Sequence, residues 1–305
     1  MRTLGRFLID EAHRQAWSTR PDVAARMSPA NPADASYAQA ALALVDGGFH
    51  VEAHTSGPIT GQLLTDVDVL VLPHCSLDDW ESTTREGSPV YAPEEIDAIE
   101  SFVRGGGGLL ILAETEQRKY GNSLADIAAR FGVAIGNCTV QDPVHRFNDV
   151  STWVLLQPQH GTGQDLFAEV EGACFYRAGT VAIDGEPART PGAHRPVVLA
   201  RSHASASPAG EGLLVGVEAG QGRVLVAADS DFAGDDSIDD LANRRLWMNM
   251  CTWLAAGASR SRQETPDSYL AQHASWVALK EAVAELRTLQ SADGSIEHEI
   301  GRAHV

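Results

Sequence analysis

Four short strand-like runs punctuate the first half of the chain, at residues 4–9, 49–53, 67–72 and 109–113, the third and fourth with almost no polar break. Runs of this kind read as strands buried on both faces. Between them the apolar positions switch to helical spacing. Residues 32–44 carry apolar and Ala positions at helix period and stop at Gly47-Gly48, a helix ending. The segment opening Pro93-Glu94-Glu95 has Pro in its first turn and acids at its positive end. It continues through Ile96, Ile99, Phe102 and Val103 to the glycines at 105–108. A further helix is predicted at 123–131, closed by Gly132. Strands alternating with helices predict an α/β fold: a flavodoxin-like, mostly parallel sheet with helices on both faces.

From residue 133 to 218 the pattern changes to short β-like pieces rich in Gly and Pro, which predicts a β-rich extension of the sheet. Residues 189–212 read as an exposed loop around a short strand. Gly220-Gln221-Gly222 is a tight turn into a strong strand at 223–228, and a helix follows at 241–254 with Leu246, Met250 and Trp253 on one face. The expected organisation is one α/β domain over 1–256, a polar linker over 257–268, and a C-terminal helix and tail over 269–305. In that helix Trp276, Leu279, Val283, Leu286 and Gln290 alternate spacings of three and four. This is the rhythm of a helix that docks in a groove or pairs in a short coiled coil. It packs back on the domain, or it carries a protein partner or an oligomer contact.

Hydrophobic content of 44% and charged content of 21% are ordinary for a soluble globular chain. An excess of 41 acidic over 23 basic residues gives a net charge of −18. That charge repels a phosphate backbone, so nucleic acid is excluded as an expected partner. No run approaches the ~18 consecutive apolar residues of a membrane helix, and the N-terminus lacks the layout of a signal peptide. Cys75, Cys138, Cys174 and Cys251 are scattered without a C-x-x-C. The expectation is a reduced, cytoplasmic protein.

The chemistry-bearing residues gather just after the strands. Asp10, Glu11, His13 and Trp17 follow the first, His74 and Cys75 the third, Glu114, Glu116 and Tyr120 the fourth, and Asp229 and Asp231 the last strong one. In a doubly wound sheet ligands bind outside the carboxyl ends of strands, so these residues are expected to line one acidic cleft for a small polar ligand. So many carboxylates repel each other unless Arg118, Lys119 or a bound cation compensates. A divalent ion is chemically sensible there. No compact ligand motif of the H-E-x-x-H kind is present, so no metal ligand is assigned, and the sequence names no cofactor. The glycines at 105–108 follow a helix and precede a strand, the reverse of a phosphate cradle, and read as a cap and turn. Cys75 stands in a long polar loop rather than a tight strand-turn-helix elbow, which favours a buried or pocket-lining thiol over a nucleophile.

Four stretches carry a family resemblance: FLIDEAHRQAW, DVDVLVLPHCSL, APEEIDAIESFVRGGGGLLILAETEQRKYGNSLADIAARFG and GRVLVAADSDFAGDDSIDDLANRRLWMNMCTWLA. In order and placement they resemble the class I glutamine amidotransferase-like superfamily, in its non-catalytic branch that includes intraflagellar-transport-type domains. Catalytic members carry a G-x-C-x-G elbow after the strand matching 109–113; here Ala113-Glu114-Thr115-Glu116 stands there. The family's His-x-Glu falls on Asp229-Ser230-Asp231, where a carboxylate cannot serve as the imidazole base of a thiol. The resemblance therefore implies the fold, a pocket at the carboxyl edge and a role in ligand binding or protein assembly, a pseudoenzyme without glutamine hydrolysis. The rival expectation is a hydrolase or lyase, metal-assisted, that uses the same acids with His13 or His74.

Overall fold

The chain is described by a computed structural model over residues 4–159, 166–184 and 195–258. The predicted C-terminal helix and tail at 269–305, the predicted linker from residue 259 on, and residues 189–194 of the predicted loop lie outside the described residues.

The four apolar runs become β1 (Arg6–Asp10), β2 (His50–His54), β3 (Val69–Leu72) and β4 (Gly108–Leu112). The predicted last strand becomes β12 (Gly222–Ala227). Between β4 and β12 the middle of the chain supplies β5 (Val133–Ile135), β6 (Trp153–Leu155), β7 (Gln157–Pro158), β8 (Cys174–Tyr176), β9 (Val181–Ile183), β10 (Arg195–Arg201) and β11 (Gly212–Ala219). The main sheet has eight strands in the order β2-β1-β3-β4-β12-β11-β10-β7. Its first five are parallel, and β11, β10 and β7 extend it antiparallel, while β5 with β9 and β6 with β8 form two small ribbons. The expected β-rich extension is therefore real, and residues 195–201 form a full sheet strand rather than a short piece in a loop.

β3 and β4 are buried at every position, the reason they read as unbroken apolar runs. The order also explains the two helical layers. The chain moves outward from β1 to β2, then returns past β1 to β3 and β4. Right-handed crossovers then put α2 (Ala38–Asp46) and α3 (Pro93–Arg104) on opposite faces. α2 packs on α5 (Asn243–Ala256), which covers β3, β4 and β12. α3 packs on α4 (Leu124–Ala129) on the other side.

One prediction is corrected here. Residues 32–44 do not form a continuous helix: Pro32–Ala35 is a single 3-10 turn and α2 starts at Ala38. The break comes from tertiary hydrogen bonds that outweigh helical propensity. Ser18 N donates to Ala35 O, Tyr37 N donates to Ser18 O, and the Tyr37 hydroxyl reaches Ser230 O at 2.6 Å. These bonds pull Ser36 and Tyr37 toward the sheet's carboxyl edge. A short helix the pattern did not announce, α1 (Pro21–Met27), precedes them and buries Val23, Ala24 and Met27.

Candidate functional site

Two separate clusters occupy the carboxyl edge. The first fills the point where the sheet order reverses, between β1 and β3, the usual ligand crevice of such a fold. Asp10, the last residue of β1, is fully buried. Its Oδ2 accepts from Gln15 Nε2 at 2.6 Å and the Tyr91 hydroxyl at 2.7 Å, and bonds His13 Nδ1 at 2.8 Å. Its Oδ1 accepts the Ala12 N–H. His13 Nε2 meets Glu95 Oε1 at 3.0 Å, and the imidazole stacks on the Tyr91 ring with centroids 4.2 Å apart. Glu95 also accepts the N–H groups of Ile59 and Ala92, so one carboxylate begins α3 and ties down two loops. The loops after β1 and β3 are joined by a bridge between Gln15 and Cys75. The crevice is thus closed by the chain's own side chains.

Cys75 sits inside this plug, fully buried, 3.5 Å from the Tyr91 hydroxyl. Burial pushes its thiol far up; bonds from Tyr91 and Gln15 oppose this only in part, and the nearby Asp10 charge adds to it. The thiolate is what reacts. Native protein is therefore expected to leave Cys75 unlabelled by iodoacetamide until denaturant is added, as peptide mapping would record; ready labelling of the folded chain would contradict this packing.

The second cluster lies between β4 and β12. Leu112 pairs with Ala227 and Ala113 N donates to Ala227 O, so Glu114 and Asp229 leave two adjacent parallel strands at the same level. One carboxylate oxygen from each of Glu114, Asp229 and Asp231 falls within 4.8 Å of the others. Asp229 is fully buried and accepts backbone N–H bonds from Tyr176 and Phe232 on Oδ2 and from Asp231 on Oδ1. Glu114 Oε1 takes the Ser230 hydroxyl at 3.0 Å. Burial, then the charges of Asp229 and Glu81, hold the Glu114 carboxyl well above the usual range, while bonds from Ser230 oppose them. Asp231 is only half-buried and opens the cluster to solvent.

Aromatic side chains wall this mouth. Trp17 donates to Ser230 Oγ at 3.0 Å and stacks on Tyr37, with centroids 4.7 Å apart. Two glycines permit the close fit: a Cβ at Gly234 would meet the Trp17 ring at 2.7 Å, and one at Gly179 would meet Glu114 O at 2.8 Å. His74 bonds Glu81 at 3.0 Å and lies edge-on to Tyr120.

The eleven residues singled out from sequence do share the carboxyl edge, but not one cleft. Asp10, His13 and Cys75 belong to the plug, while Glu114, Asp229, Asp231 and Trp17 form the mouth. His74 and Tyr120 stand beside it. Glu11 is spent on Ser18, Thr19 and Arg20. Glu116 sits in the left-handed region at φ 45° and turns outward to Lys119, 2.6 Å away. Lys119, expected to offset the acids, is thereby engaged elsewhere. Gln15, Tyr37, Gln117, Tyr91, Glu95 and Ser230 were not picked out as site residues. Gln15, Gln117 and Ser230 stood inside the quoted strand-end stretches; Tyr37 and Tyr91 carried no local signal.

No family model and no curated protein sequence matches the chain. Among solved structures it is similar to the N-terminal domain of IFT52, at 12% identity with a TM-score of 0.62, over 84% of this chain and all of that one (100%). It also resembles a ThuA-like protein from Bacteroides uniformis, at 14% identity with a TM-score of 0.49 over 83% of this chain and 91% of that one. A cytoplasmic protein of Salmonella typhimurium aligns at 12% identity and a TM-score of 0.48 over 82% and 98%. Only the first is close enough in shape to speak for a shared fold. The described residues therefore define a doubly wound α/β fold with an antiparallel extension, shared with the IFT52 N-terminal domain. Among them no helix is long and apolar enough to cross a membrane.

Proposed function

We propose that the protein is a binding module on an amidotransferase-like scaffold that takes up a small polar ligand at the mouth between β4 and β12, without thiol hydrolysis. One observation carries the reading. Glu114, Asp229 and Asp231 converge where the resembling family keeps its nucleophile and His-x-Glu, with no thiol among the three, and Cys75 is sealed in the plug. The stacked Trp17 and Tyr37 and the Ser230 hydroxyl give the mouth an aromatic wall and a hydroxyl group beside its acids. The hydrolase or lyase reading has less support, because His13 is held between Asp10 and Glu95 in the plug and His74 Nε2 is bonded to Glu81. The segment at 269–290 supplies the docking half of the proposal, for a protein partner or a second copy.

The test is a thermal-shift screen of amines, amino acids and sugars against wild type and Asp231→Asn. A binder at a hundred times its Kd adds about 2.7 kcal/mol, several degrees for a domain of this size. The expected result is one chemical class that stabilises wild type and not the variant. No stabilising compound, or equal shifts in both chains, would overturn the proposal.

A further inference from the structure

The mouth also carries a reading more specific than a polar pocket, one that rests on its being a binding site at all. We propose that Glu114, Asp229 and Asp231 hold a divalent cation of the hard, oxygen-preferring class, Mg2+, Mn2+ or Ca2+.

The separation fits. Oxygen ligands to such ions stand at roughly 2.0–2.6 Å, so two ligands on opposite sides of one ion are about 4–5 Å apart. The three carboxylate oxygens already lie within 4.8 Å of one another, on residues fixed by adjacent strands and by backbone N–H bonds to Asp229. The backbone need not move to close around an ion. The donor set is all oxygen and formally triply negative, which selects hard divalent ions over the softer metals that imidazole and thiolate prefer.

An independent observation points the same way. Gln117 is 5% exposed, and its Oε1 accepts the Glu114 N–H at 2.8 Å. That bond fixes which end of the amide is nitrogen. Nε2 is consequently a donor on a side chain bonded to the Glu114 backbone, and it has no partner among the described residues. A buried amide N–H without an acceptor is costly. A water or hydroxyl oxygen on a cation held by the three acids would supply an acceptor for it. Lys119 is on Glu116 and over the rings of Trp80 and Tyr120.

The experiment uses the full chain, stripped with chelator and titrated with Mn2+, free Mn2+ being read by electron paramagnetic resonance. Mg2+ and Ca2+ serve as competitors. Wild type is expected to show one saturable site. Asp231→Asn and Glu114→Gln, with unchanged circular dichroism, should each weaken it tenfold or more. Gln117→Leu, which leaves all three ligands in place, should weaken it by about tenfold, as loss of an orienting partner around a metal does. Asp22→Asn on α1 removes the same charge from an exposed carboxylate paired with Arg26, outside the acid trio, and should bind Mn2+ like wild type. Absence of a saturable site, or one equally strong in Asp231→Asn and Glu114→Gln, would overturn the inference. If Mn2+ fails while an organic compound still distinguishes wild type from Asp231→Asn, only the cation falls. If both fail, the mouth is no binding site.

Discussion

Replacing Asp10 with Ala is expected to cost about 3–5 kcal/mol of folding stability, the range for removing one partner of a buried charged network. That corresponds to a fall of roughly 10 °C in Tm. The size follows from what is left behind. The Gln15 amide, the Tyr91 hydroxyl, one nitrogen of His13 and the Ala12 N–H all lose the same carboxylate, and none has water to turn to. Asp10→Asn, which keeps the shape and one oxygen, should cost less. Urea unfolding of the three chains at one pH checks this. A loss below 1 kcal/mol for Asp10→Ala would mean that the plug is not what joins β1, β3 and α3.

The second large effect is a pH dependence located in the same plug. Burial works against a charge on His13. The hydrogen bond and charge of Asp10, then those of Glu95, overcome it and raise the imidazole above its ordinary value. In the unfolded chain the ring titrates near ~6.5, so the folded state binds this proton more tightly than the unfolded state. The stabilisation is therefore complete below about pH 6.5 and fades as pH rises through the higher folded value. His13→Gln should cost about 2–3 kcal/mol at mildly acid pH, the scale of a charge-assisted hydrogen bond, and distinctly less at pH 9. The groups facing the ring are Asp10 from β1, Glu95 from α3, and the uncharged Tyr91, while Gln15 accepts the His13 backbone N–H. A wild-type-to-variant gap that stays constant between pH 5.5 and 9 would show that His13 does not titrate between its two carboxylates.

How much of this could be read from residue order depends on where each partner comes from. β3 and β4 were legible because strands buried on both faces leave no polar positions to confuse the pattern. Glu114 and Asp229 were legible as a pair for a related reason. Each ends an apolar run, and parallel neighbours bring equivalent ends to one level. The division of the edge into plug and mouth was not legible. It depends on Tyr91 and Glu95 reaching Asp10 and His13 across some eighty positions of sequence, and nothing local marks either for that task. Tyr37 was hidden by its setting, since residues 32–44 have good helical spacing and only bonds to Ser18 and Ser230 break the helix before Ala38. Glu116 looked equivalent to Glu114, and a left-handed turn separates them.

The place of β12 has a consequence for how the molecule comes together. It is the last strand of the described chain, yet it lies in the middle of the sheet, with β4 on one side and β11 on the other. Until residues 222–227 slot in, the outer rim of β4 offers a row of unpaired amides and carbonyls on an entirely apolar ribbon, the kind of rim that recruits foreign strands. A polypeptide cut short before that point would be sticky as well as incomplete. The acid trio is made by that same insertion, so its presence certifies that the keystone is seated.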